Sequence, residues 1–242
     1  MTDSSIYLVL LPGAGETAAG YMAWHHAFSC HVVSLEYPGH GTRMDESCVT
    51  DMKDLVEDLH RSLKKQIPLH SSILLFGYSL GGLAAWSLAH QIEGTSAYHL
   101  LGLCLAACHP DRSYMVPRND TIRYLEKSPN LTQKIRSSKL YRSFILPSIE
   151  KDIDLIRWFH GTFTSPLSAP IYAFYGSHDK LVQADRVNDW EKETCKDFHK
   201  YEFEGDHFFI QNEQFRKELM KKMREIIMYL SGCGDNDGKS MC

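Results

Sequence analysis

The sequence predicts an α/β protein, a mostly parallel sheet flanked by helices on both faces. Three observations carry that expectation. Short apolar or β-branched runs alternate with helical patterns along most of the chain, the arrangement that builds parallel βαβ units into a three-layer sandwich. The chain has 242 residues, 43% of them hydrophobic and 23% charged, which suffices to bury one sizeable core. Residues 77–82 read Gly-Tyr-Ser-Leu-Gly-Gly and place one serine among small residues, where an apolar run turns into a stretch of helix formers.

The elements follow in order. Ile6–Leu11 is preceded by no basic segment and runs into Pro12-Gly13, so it reads as a strand and not as a signal peptide. His31–Glu36, Ser72–Phe76, Leu100–Ala107, Pro170–Tyr175 and His199–Phe203 read as the further strands. Asp51–Gln66 reads as a helix because Leu55, Val56, Leu59 and Leu63 share one face, with Thr50 as its N-cap. A last helix spans about 212–230, striped by Phe215, Leu219, Met223, Ile226 and Leu230. From about Asp111 to Thr164 no strand pattern is found, and apolar residues recur at helix-like spacing. This insertion forms either a lid over a site or two or three additional packing helices. The tail 232–242, rich in Gly, Asp and Asn, reads as disordered, which leaves a single domain over 1–231.

Composition narrows the function. A net charge of −4 argues against nucleic acid. The odd set of seven cysteines, Cys30, Cys48, Cys104, Cys108, Cys195, Cys233 and Cys242, forms no CxxC pair, which points to reduced thiols. Cys104 and Cys108 fall in an apolar run and read as core filler. No apolar stretch approaches the roughly 18 residues of a membrane span. The expectation is a cytoplasmic protein, and a monomer, since such a fold needs no partner to close its core. No histidine–carboxylate cluster has metal-ligand spacing, and no metal is expected.

Gly77-Tyr78-Ser79-Leu80-Gly81 matches G-x-S-x-G. A strand that turns sharply into a helix holds its turn residue in strained backbone, and small neighbours relieve the crowding. The hydroxyl then stands exposed near the positive end of a helix. Alternatively Ser79 only caps that helix. As a nucleophile it needs a histidine to take its proton and a carboxylate to orient the histidine. Asp179 falls in the loop after the Pro170–Tyr175 strand, and His207 just after the last strand. Parallel strands put both at the edge that carries Ser79. Asp111, after another strand, is the rival acid; Asp206, directly before His207, is badly placed to reach the far ring nitrogen. Of the 13 histidines, His25, His26, His60 and His90 fall in helices, and His178 is a loop residue or lines the site. Donors for a developing oxyanion are expected from the backbone N–H groups of Leu80 and of Ala14, in the loop Leu11-Pro12-Gly13-Ala14-Gly15. No phosphate-loop signature completes that loop.

These residues carry a resemblance that covers nearly the whole chain up to the tail. Leu11–Gly15 resembles the P-x-A-G-G loop of the type II thioesterases, stand-alone editing enzymes of the α/β-hydrolase fold that serve nonribosomal peptide and polyketide assembly lines. Tyr37-Pro38-Gly39-His40-Gly41-Thr42-Arg43 resembles that family's L-P-G-R-x-x-R segment, Gly77–Gly81 its G-H-S-M-G elbow, and 146–152 its L-P-x-L-R-x-D stretch. Gly176–Asp179 resembles its G-x-x-D loop and Gly205–Phe209 its G-G-H-F-F box. The chain departs at Glu16, His40, Tyr78 and Asp206, where glycine, arginine, histidine and glycine are usual. None of the four removes a member of the Ser79–His207–Asp179 set.

The resemblance implies hydrolysis of an acyl thioester held on the phosphopantetheine arm of an acyl- or peptidyl-carrier protein, with no cofactor of the enzyme's own. The insertion would wall a channel for that arm. Arg112, Arg118, Arg123, Lys127, Lys134, Arg136, Lys139 and Arg142 outnumber its acids up to Arg142, either to meet acidic carriers or as an ordinary solvated face. Tyr141, Phe144 and Trp158 would touch the acyl chain or pack as core. The alternatives are a medium-chain fatty acyl thioesterase, a carboxylesterase, or a non-catalytic scaffold of the same fold.

Overall fold

The computed structural model describes residues 5–110, 116–158, 163 and 165–232. Asp111, Arg112 and the tail from 233 onward lie outside the described residues, as does the Trp158 side chain. Six strands form one parallel sheet: β1 (Ile6–Leu11), β2 (His31–Ser34), β3 (Ser72–Tyr78), β4 (His99–Ala106), β5 (Ile171–Gly176) and β6 (Phe198–Phe203). Their spatial order is β2-β1-β3-β4-β5-β6. The chain leaves β1 toward β2 and returns to the other side of β1 as β3. Beyond the carboxyl ends of β1 and β3 the connections therefore diverge and open a crevice, where ligands bind in sheets of this kind.

The apolar runs make strands because both faces of the sheet are covered. Alternation of period two divides each run between two cores. Val9, Leu11, Ile73, Leu75, Leu103 and Leu105 face one, and Leu8, Leu10, Leu74, Phe76, Cys104 and Ala106 face the other. On the first side lie α1 (Met52–Gln66) and α2 (Leu80–Thr95), and on the second a 3₁₀ stretch (Ala18–His26) and the C-terminal helix. Leu55, Leu59 and Leu63 of α1 are fully buried, each worth about 1.5–3 kcal/mol of transfer from water. The N-cap of α1 is Asp51, not Thr50: an Asp51 side-chain oxygen accepts the Lys53 N–H at 2.6 Å.

The insertion between β4 and β5 is helical. It contains α3 (Arg118–Leu125), α4 (Gln133–Arg136) and a π-helical turn (Tyr141–Ile145) that runs into α5 (Leu146–Trp158). Ile122, Leu125, Tyr141, Ile149 and Ile153 form a third cluster that closes on Phe208, with Ala14 and Leu181 packed against it. Arg118 grips Asp154 through two hydrogen bonds of 2.5 and 2.9 Å and ties α3 to α5. After β5 come α6 (Ala184–Val187) and, beyond β6, α7 (Glu213–Leu230). The expected helix at 212–230 opens at Glu213, because Asn212 is its N-cap and accepts the Gln214 and Phe215 N–H groups. Among the described residues no helix is long and apolar enough to cross a membrane.

Candidate active site

Ser79 sits at the turn from β3 into α2 with φ +54° and ψ −115°, a conformation that L residues with a Cβ rarely adopt. Its own N–H is held by the Ala106 carbonyl at 2.8 Å. The glycines on either side make the turn possible. A Cβ at Gly77 would overlap the Gly81 carbonyl, and one at Gly81 would overlap the Leu11 carbonyl. The Ser79 side chain makes no capping bond to α2, so the hydroxyl is not a helix cap.

The hydroxyl instead meets a histidine. His207 Nε2 lies 3.1 Å from Ser79 Oγ, and His207 Nδ1 lies 2.8 Å from Asp179 Oδ2. The His207 and Asp179 side chains are 2% and 0% exposed. Asp179 is held from behind, since its Oδ1 accepts the Leu181 and Val182 N–H groups at 2.8 and 3.0 Å. The buried Tyr78 hydroxyl donates to the His207 carbonyl at 2.8 Å, so a residue that departs from the family pattern anchors the histidine's backbone. Asp206 turns away from the imidazole and accepts the Phe208 N–H at 2.9 Å. His178 lies in the loop, its ring nitrogen 3.0 Å from Ser177 Oγ. An imidazole so placed can take the serine proton, and the carboxylate can fix its tautomer and support the cation that forms.

Facing Ser79 across the crevice is the loop after β1. Gly13 N–H donates to Glu16 Oε2 at 3.2 Å, Gly15 N–H to Asp152 Oδ2 at 2.8 Å, and Glu16 N–H to the Gly13 carbonyl at 3.0 Å. Ala14 N–H has no acceptor among the described residues. Leu80 N–H opens α2, where the first amides have no intrahelical partner. Glu16 also accepts from Gln211 Nε2 at 3.0 Å. Burial raises the Glu16 carboxyl above its usual range, against the lowering effect of its Gly13 and Gln211 bonds. No catalytic motif in the sequence marks Glu16, Gln211 or Asp152 as a site residue.

Two clefts meet at Ser79 and His207. One, about 80 Å³, runs between α2 and the insertion past Leu83, Cys108, His109, Leu125, Ile156 and Val182. The other, about 250 Å³, runs between the β1 loop and the insertion past Tyr21, Asn130, Leu131, Ile149, Phe208 and Gln211. Tyr141 and Phe144 line neither cleft. Tyr141 is core, with its hydroxyl on Glu126 at 2.7 Å, and Phe144 is half exposed. Among the described residues no group of three or more His, Cys, Asp or Glu side chains could hold a metal ion.

Comparison with known proteins gives this geometry a family. The sequence profile of the thioesterase domain matches residues 7–227. Thioesterase TesA of Mycobacterium marinum is 26% identical over 211 residues, 84% of each chain. The crystal structure of ClbQ from the colibactin NRPS/PKS pathway superposes with a TM-score of 0.84 at 26% identity, covering 96% of this chain and 100% of that one. The type II thioesterase BorB from the borrelidin biosynthetic cluster superposes at 0.77 and 26% identity, covering 93% and 92%. The profile match runs from the second residue of β1 into the last turns of α7 and takes in every element that positions Ser79, Asp179 and His207. The chain belongs to the thioesterase domain family, on an α/β-hydrolase fold.

Proposed function

We propose that this thioesterase clears acyl groups from the phosphopantetheine arm of acyl- or peptidyl-carrier proteins, as an editing enzyme of nonribosomal peptide or polyketide assembly, with Ser79, His207 and Asp179 as its catalytic residues. The observation that carries the chemistry is the continuous relay Ser79 Oγ–His207 Nε2 and His207 Nδ1–Asp179 Oδ2, at 3.1 and 2.8 Å. The origin of ClbQ and the type II assignment of BorB support the carrier-bound substrate.

His207 takes the proton as Ser79 Oγ bonds to the thioester carbon. The Leu80 and Ala14 amides receive the charge that builds on the carbonyl oxygen. The carbon–sulfur bond then breaks, and the His207 proton leaves with the thiol. Water repeats the sequence on the acyl-serine and releases the acid. No step calls on a cofactor. The 250 Å³ cleft beside the β1 loop, where Ser128, Asn130 and Gln211 stand among apolar residues such as Trp24, Ile149 and Phe208, suits the amide-bearing arm with its methylene segments, and the insertion is its lid; the apolar 80 Å³ cleft suits a short acyl group.

The test offers one acyl group as carrier-protein thioester, coenzyme A thioester and p-nitrophenyl ester, with Ser79→Ala as control. Preference for the carrier thioester, lost in the variant, is expected. Preference for the oxyester points to a carboxylesterase. Turnover that survives Ser79→Ala removes the serine mechanism.

A further inference from the structure

His40 and Asp152 are 112 residues apart and both about 5% exposed. His40 Nε2 lies 2.9 Å from Asp152 Oδ2, and His40 Nδ1 lies 3.1 Å from the Pro38 carbonyl. Both ring nitrogens thus face acceptors, and only the doubly protonated ring donates to both. The same Asp152 oxygen accepts the Gly15 N–H. Gly15 has φ +70°, and its Cα lies against Ile149, one turn before Asp152 on α5, so closely that a Cβ would overlap that side chain. Ser148 Oγ adds a longer bond of 3.4 Å to the Gly39 carbonyl. One face of the insertion therefore grips the residue that follows Ala14 and is itself gripped by His40.

We infer that His40 and Asp152 are positioning residues for the oxyanion loop, and that in this chain the pair holds the loop only while His40 carries its proton. The inference rests on the thioesterase reading above. Once the ring is neutral, one nitrogen presents a lone pair to an acceptor in a site with little access to water, whichever tautomer forms. The Nε2–H tautomer keeps the bond to Asp152 but turns its lone pair on the Pro38 carbonyl, and the Nδ1–H tautomer turns it on Asp152; in either form the positive charge that fixes the carboxylate beneath the Gly15 amide is gone. The charged and titratable groups that face His40 are Asp152 from α5 and Glu36 and Tyr37 from its own loop, the Tyr37 ring at 5.8 Å edge-on. Burial works against the charge on His40, but the bond to Asp152, that residue's charge and the Pro38 carbonyl outweigh it and hold the imidazole above its ordinary value. A raised folded-state value fixes the sign. The contribution is complete below the ordinary histidine range and is lost as pH rises through the raised value. The usual family residue here is arginine, which keeps its charge throughout.

The test measures thioester hydrolysis by the full chain from mildly acidic to alkaline pH, together with the rate at which a fluorophosphonate labels Ser79. Wild type is expected to lose kcat/KM and labelling rate on the alkaline side. His40→Arg is expected to keep wild-type activity near neutrality and to lose that alkaline limb. Asp152→Ala is expected to fall about tenfold or more in kcat with little change in KM, and to show no limb. An alkaline limb unchanged in His40→Arg overturns the inference, as does a limb-free wild type. A change in melting temperature alone, with both pH profiles preserved, assigns the pair to stability and also overturns it. Failure of the thioesterase reading is told apart by its own sign, rapid labelling of Ser79 without thioester turnover at any pH.

Discussion

Replacing Asp179 with asparagine separates the acid's chemical role from its structural one. The Asp179 carboxylate makes three hydrogen bonds among the described residues: one to His207 Nδ1 and two from the Leu181 and Val182 N–H groups. Asparagine can keep the last two by presenting its carbonyl oxygen to the amides. Its NH₂ group then faces His207 Nδ1, which must become an acceptor. The ring proton moves to Nε2 and points at Ser79, the wrong tautomer for a base. The charge that supported the imidazolium is lost as well. Two unit charges about 4 Å apart at an effective dielectric near 20 interact by about 4 kcal/mol, and the tautomer change takes the total to roughly 5 kcal/mol, or about four orders of magnitude in kcat. The assay is thioester turnover beside a thermal melt, with Asp111→Asn in parallel. The melt is expected to move little, since both amide bonds survive. Asp179→Ala, by contrast, leaves two amides unpaired and is expected to lose a further 1–3 kcal/mol or so of stability for each one that water does not reach. Turnover of Asp179→Asn within tenfold of wild type, or collapse in Asp111→Asn instead, would refute the assignment.

Three further outcomes follow from the same geometry. Gly81→Ala drives a Cβ into the Leu11 and Pro12 carbonyls and is expected to lower stability by roughly 3 kcal/mol, whereas Gly94→Ala, with nothing within 4 Å of its added Cβ, is expected to gain up to about 1 kcal/mol from helix propensity; paired melts decide it. Tyr78→Phe removes the hydroxyl from the His207 carbonyl and is expected to cost about 1–3 kcal/mol and to lower kcat more than it changes KM. Glu16→Gln is expected to raise the melting temperature near pH 7 but not near pH 4. The Glu16 carboxyl has a raised value, so its charged form disfavours the fold only once pH exceeds the ordinary carboxylate range; an equal gain at both pH values would contradict this.

The parts legible in the sequence are those in which one segment carries its own signal. The alternation of β1, β3, β4 and β5 with helices was readable because both sheet faces are covered and the runs are mostly apolar. Strand ends were less so: β3 runs on through Gly77 and Tyr78, which pair with Leu105 and Ala106, but Gly77, a poor strand former, masks the continuation to Tyr78. Ser79, Asp179 and His207 were findable because each follows a strand in a short motif. The grip of Asp152 on Gly15 and of Gln211 on Glu16 joins residues 137 and 195 positions apart, and no periodicity encodes such a meeting. Likewise His40 could be seen to depart from the usual arginine, but its partner emerges only from the packing of α5.

The backbone angle at Ser79 has an evolutionary corollary. At φ +54° a side chain of any kind is under strain, and glycine alone would occupy the position comfortably. Alanine in its place would abolish the nucleophile and keep the strain; glycine would abolish it and relieve the strain. Once a lineage is no longer selected for hydrolysis, the first change that stabilises the turn is also the one that erases its chemistry. Loss of function at this position therefore runs downhill in free energy, and a serine that persists at such a turn is a mark of continuing use.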